Sequence, residues 1–148
     1  MVGIASGDRP VSNPCLTTRA LCEHLFVTSQ GSSYSRFRRA LDTRSAPLAL
    51  ASAAELRFVS LTDALELCLL LCEREPRRYE RAALRWHGRY CREVEGVSLD
   101  EGQAVLALLA ALRGSRRRSV AASLAELFDR RQLHQASEVL VRWARDEG

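Results

Sequence analysis

The sequence contains no lysine; all 22 of its basic residues are arginine. A G-x-x-x-x-G-K-[ST] phosphate loop is therefore excluded, because its lysine is what reaches the β- and γ-phosphates. There is no G-x-S-x-G nucleophile elbow. The three histidines, His24, His87 and His134, are dispersed, and no E-x-x-H pair of the kind that builds di-iron bundles occurs. No apolar run approaches the ~18 residues of a membrane span. Met1 to Ser12 is small, polar and Pro-bearing rather than basic and then apolar, so no secretory signal is expected and residence is expected to be cytoplasmic. Runs of alternating β-branched residues are also missing, which argues against a sheet.

What is present fits an ordinary globular chain. Of 148 residues, 47% are hydrophobic and 27% charged, enough apolar content for one domain with its own core. The net charge of +4 is mildly basic, too little to imply a nucleic-acid partner by itself. Arginine in place of lysine suits planar, two-pronged recognition of phosphates and carboxylates. It is equally what a GC-rich coding sequence produces. Five cysteines, an odd number, without a signal peptide, point to free thiols rather than a disulfide framework.

The organisation is read as a flexible arm over residues 1–33 and an all-α domain over 34–148. The arm is rich in Gly, Ser, Thr, Pro and Asn, with one apolar patch from Leu21 to Val27. The domain is expected to be a bundle, or a short solenoid of helical hairpins, with six to seven helices. Tyr34, Phe37 and Leu41 predict a first helix over 34–43. Pro47 suits a first helical position for a second, to Arg57. Ser60 caps a third, to about Glu75, whose stretch Leu67 to Cys72 is apolar on nearly every face and belongs in the middle of the bundle. Pro76 ends it. Residues 77–95 form the longest amphipathic pattern, with Tyr79, Ala83, Trp86, Tyr90 and Val94 on one face and Gly96 as the stop. Ser98 and Glu101 make a capping-box pair for a helix over 99–113. Two more follow over 115–132 and from Ala136 onward.

The stretch Val59 to Glu95, VSLTDALELCLLLCEREPRRYERAALRWHGRYCREVE, resembles short helical proteins of GC-rich actinobacteria. Their pattern is an apolar helix, an acidic-Pro turn, then RYERAALRW and an arginine-rich continuation. The resemblance implies a helical fold and a bacterial cytoplasmic origin. It brings no activity and no site residues.

Two arginine groups are the candidate binding residues. Arg78, Arg81, Arg85, Arg89 and Arg92 recur every three or four residues and occupy an arc of roughly 80° on one helix. No acidic residue of that helix falls inside the arc, and Glu80, Glu93 and Glu95 project elsewhere. Like charges so spaced repel by a few tenths of a kcal/mol per pair, so cross-helix carboxylates, solvent or an anionic partner must offset them. The second group is Arg116, Arg117 and Arg118, with Arg113 one turn earlier, at a junction between helices. Arginines in a first helical turn oppose the helix dipole. The resulting expectation is a non-enzymatic interaction module whose arginine face binds an acidic protein partner or assembles with itself; the alternative is a nucleic-acid-binding regulator that contacts phosphates through the same arginines. No cofactor and no membrane partner are expected. Gly88, beside the stripe, would suit a close helix crossing or backbone contact, and is equally read as a tolerated substitution.

Other constellations read as structural. Cys68 and Cys72, with His87 and Cys91 on the next helix, form a Cys3His set that zinc accepts. A tight hairpin at Pro76 would nevertheless leave His87 about one turn too far, and cysteines in a leucine run behave as small hydrophobes. Cys15, Cys22 and His24 match no standard metal spacing. A helix-turn-helix around Ala122 to Leu140 lacks the usual turn glycine. Tyr79, Trp86 and Tyr90 read as a seam between helices, with a ligand pocket as the sharper alternative.

Overall fold

The computed structural model describes residues 32–146, and within them the chain is seven helices packed as a bundle with no strand. Helix α1 covers 32–42. It is followed by α2 (Ala46–Glu55), α3 (Leu61–Arg74), α4 (Pro76–Glu93), α5 (Leu99–Ala111), α6 (Arg117–Arg130) and α7 (His134–Asp146). The first helix begins two residues before Tyr34, inside the stretch read as arm. Residues 1–31, including the Leu21–Val27 patch and Cys15, Cys22 and His24, lie outside the described residues.

The helix ends follow local chemistry. The Ser60 hydroxyl accepts from Asp63 N–H at 3.0 Å, satisfying one of the orphan donors of α3. Pro76 ends α3 and also occupies the first position of α4, where its missing N–H costs nothing. Gly96 takes φ +68 after α4, a left-handed conformation that favours glycine. Ser98 accepts from Glu101 N–H at 3.2 Å, but the capping box is only half made, because the Glu101 carboxylate is drawn away to Tyr90 and Arg131. Between α6 and α7 the left-handed residue is Gln132, at φ 58. A side chain therefore fills the position that a helix-turn-helix usually gives to glycine.

Helix α3 is the centre. It packs against α2, α4 and α7, and its two sides feed two cores. Leu65, Cys68 and Leu69 face the larger core, with Tyr79, Trp86, Tyr90, Leu109, Leu124, Phe128, Leu140 and Trp143. Leu70 and Leu71 face a smaller one, with Phe37, Ala40, Leu41, Ala46 and Ala49. This is why Leu67 to Cys72 carries no polar face. Within the larger core, the Trp86 ring stacks on Tyr90 at 5.5 Å between centroids, and Phe128 lies 5.6 Å from both. The Trp86 indole N–H donates to Leu61 C=O at 2.8 Å. The Tyr79 hydroxyl donates to Leu109 C=O at 2.7 Å, near the end of α5, so a buried aromatic helps to cap the neighbouring helix.

Ion pairs tie the two cores together. Arg38 of α1 donates to Asp63 at 2.9 Å and Glu66 at 2.7 Å, both on α3. Arg142 of α7 reaches Glu66 at 2.7 Å. Arg44 pairs with Glu73. Among the described residues, no helix is long and apolar enough to cross a membrane.

Candidate functional site

The packing on α3 and α5 turns the Tyr79–Trp86–Tyr90 side of α4 inward and its arginines outward. The five stripe arginines then separate into two kinds. Arg89 is half-buried and committed to the fold. It grips Glu93 through two nitrogens, at 2.8 and 3.1 Å. It also donates to Val59 C=O at 3.0 Å and lies 5.8 Å above the Phe58 ring, a cation–π position. Arg78 pairs with Glu75 at 3.0 Å, and Arg92 approaches Glu93 at 3.5 Å. Glu93 therefore does not project away, as the helical wheel suggested. It lies about 40° beyond Arg89 on the wheel, within reach of both flanking guanidinium groups, and they hold its carboxyl below its ordinary value.

Arg81 and Arg85 are different. Both are exposed, and neither has an ion pair among the described residues. Arg77 shares that condition and that outer surface. It falls outside the original stripe, although its four-residue spacing from Arg81 was a legible signal. Leu84, 53% exposed, stands among these arginines.

The second arginine group lies at one end of the same bundle. Cys72 Sγ is 3.9 Å from Leu112 C=O, and Tyr79 reaches Leu109. The α3–α4 turn is thus beside the end of α5. Arg44, Arg74 and Arg117 line one cleft with Glu73 and Asp146. Arg74, Arg77 and Arg78 therefore share an end of the molecule with Arg113 and Arg116–Arg118. Helices α4 and α6 both begin there, without an acidic residue in the first turn and without a side-chain cap. Their positive dipole ends add to the arginines.

The cysteine–histidine set does not assemble. Burial, chiefly, pushes the Cys68 thiol up to about 12, so it stays protonated in the leucine core. Cys72 faces Leu112. His87 donates through Nε2 to Gly102 C=O at 2.7 Å, with Cys91 Sγ at 3.5 Å from the same nitrogen. These contacts lie along different parts of α5. Among the described residues, no three His, Cys, Asp or Glu side chains are grouped to hold a metal ion. At Gly88 an added Cβ would meet nothing within 4 Å, so this is a tolerated glycine rather than a close crossing; at Gly102 an added Cβ would sit 3.4 Å from Cys91 Sγ.

A cleft of about 260 Å³ opens between α1, α3 and α7, lined by Asp42, Arg44, Glu66, Glu73, Arg142 and Asp146 over Leu69, Leu70, Val139 and Trp143. Its charges largely face one another: Arg44 with Glu73 and Asp146, Arg142 with Glu66. No Ser, Cys or His lines it.

At the opposite end, Glu101 accepts from Tyr90 Oη at 2.6 Å and from Arg131 Nε at 2.8 Å. Arg131 also donates to Gly96 C=O at 2.8 Å. This latch closes the α4–α5 loop onto the end of α6. The Arg131 hydrogen bonds hold the Glu101 carboxyl below its ordinary value of 4.5. A carboxyl depressed in the folded state stabilises fully above its unfolded value, and that stability is lost as pH falls through the folded one. We expect Glu101→Gln to lower stability near neutral pH and to flatten the acid limb below pH 4.5, in unfolding curves taken across pH. An acid limb identical to that of the wild type would contradict the latch.

Compared with protein-family models, curated proteins and solved structures, this chain matches none.

Proposed function

We propose that the chain is a non-enzymatic interaction module that binds an acidic protein partner through the outer face of α4. The observation that carries this reading is the division within the stripe. Arg78, Arg89 and Arg92 have carboxylate neighbours in their own chain, whereas Arg77, Arg81 and Arg85 face solvent without one. Exposed like charges on adjacent turns repel, and carboxylates of a partner would reverse the sign of that interaction. Guanidinium groups pair with carboxylates in a planar, bidentate manner.

A second reading, nucleic-acid binding, is favoured by the cationic end: Arg113 and Arg116–Arg118 beside two helix N-termini. Phosphate contacts release counterions, so that binding would fall steeply with salt. The two readings separate in an affinity capture with the full chain as bait, with and without nuclease, at low and high salt. A defined protein that persists after nuclease treatment supports the first. Nucleic acid that is captured at low salt and vanishes at high salt overturns it in favour of the second. Capture of the same chain would make the acidic partner a second copy.

A further inference from the structure

The outer face of α5 is unlike the rest of the surface. From Gly102 to Leu112 the chain has no charged residue. Ala104, Ala107, Ala110 and Ala111 are all exposed, at helical spacing. Small side chains let a second helix approach closely, at the short end of the roughly 8–10 Å interaxial range. Beside this face an apolar groove of about 260 Å³ runs between α4 and α5, lined by Ala83, Leu84, Leu106, Leu109 and Ala110, with Glu80 and Arg113 at its rim. Arg81 lies one turn before Leu84 on the exposed side of α4. Ala110 belongs to both the alanine face and the groove, so the two adjoin; the exposed polar residue of the α5 face is Gln103, and the nearest cations are Arg113 in the groove and Arg81 beside Leu84.

We infer that this surface docks an acidic amphipathic helix of a partner protein. Its leucine-like anchors would enter the groove at Leu84, Leu106 and Ala110. Its carboxylates would meet Arg81 and Arg113, neither of which is ion-paired among the described residues. Charge complementarity selects an acidic partner, and the uncharged α5 face selects a helix with an apolar side over a phosphate backbone. Glu80 gives the rim one carboxylate of its own, which sets the polarity of docking by disfavouring an acidic residue opposite it. The inference rests on the interaction-module reading and names its partner.

The test uses the full chain and three fluorescent probes. The first is an 18-residue peptide, roughly five helical turns, with leucines on one face and glutamates on the other. The second has the same composition, scrambled so that no apolar face forms. The third is a DNA duplex. The amphipathic peptide is expected to bind at least about tenfold more tightly than the scrambled one. Ala107→Glu and Ala110→Trp, both on the surface, should each weaken it by about tenfold with circular dichroism unchanged. Equal binding of both peptides, or indifference to the α5 variants, overturns the groove while leaving the arginine face standing. Binding of DNA but of neither peptide overturns both.

Discussion

Trp86→Ala is expected to destabilise the protein by about 3–5 kcal/mol, measured as a shift in denaturant midpoint. Trp86 is 2% exposed. Truncation removes its stack on Tyr90 and its contact with Phe128, and it opens a cavity where α4 meets α6. It also leaves Leu61 C=O without its indole donor. Trp86→Phe keeps most of the ring and forfeits that hydrogen bond, a loss of about 1 kcal/mol before the volume difference is counted. A loss below about 1 kcal/mol for the alanine variant would contradict the placement of this ring at the centre of the larger core.

Phe37→Ala is expected to cost a similar total, about 3–5 kcal/mol, but with a different distribution. Phe37 is fully buried in the smaller core, against α2 and the Leu70–Leu71 side of α3. That core holds one ring and several alanines, so few other contacts compensate. Protein segments open in cooperative units of unequal stability. Amide exchange should therefore accelerate first in α1 and α2, with α4 to α7 still protected. Arg38 and Arg44 would continue to draw α1 towards Asp63, Glu66 and Glu73. Uniform acceleration across all helices would mean that the two cores form one cooperative unit.

The helices were legible because their signals are local. Ser60, Pro76, Gly96 and Ser98 stand where the chain turns, and the Tyr79–Trp86–Tyr90 spacing identifies its own buried face. What the sequence could not convey depends on pairing between helices. Glu101 reads as a capping residue, yet its carboxylate serves Tyr90, eleven residues away, and Arg131, thirty residues away on the chain. Gly88 and Gly102 are alike as glycines within helices, and only the position of α5 shows which one admits a neighbour. The stripe was visible as periodicity, but its division into paired and unpaired arginines depends on Glu75, Glu93, Val59 and Phe58. The alanine face of α5 was present in the spacing of Ala104, Ala107 and Ala111. Its exposure follows from α4 and α6 covering the other sides of that helix.

In the proposed function, α4 presents arginines free to engage a partner. The most direct measurement is the Arg81→Glu, Arg85→Glu double variant, with stability and partner capture determined on one preparation after nuclease treatment. Both side chains are exposed, so unfolding free energy should change by no more than about 0.5 kcal/mol per site. Capture of the acidic partner should fall by about a hundredfold, as expected when two contacting charges are reversed. A variant that unfolds, or one that stays folded and binds as the wild type does, would contradict the account.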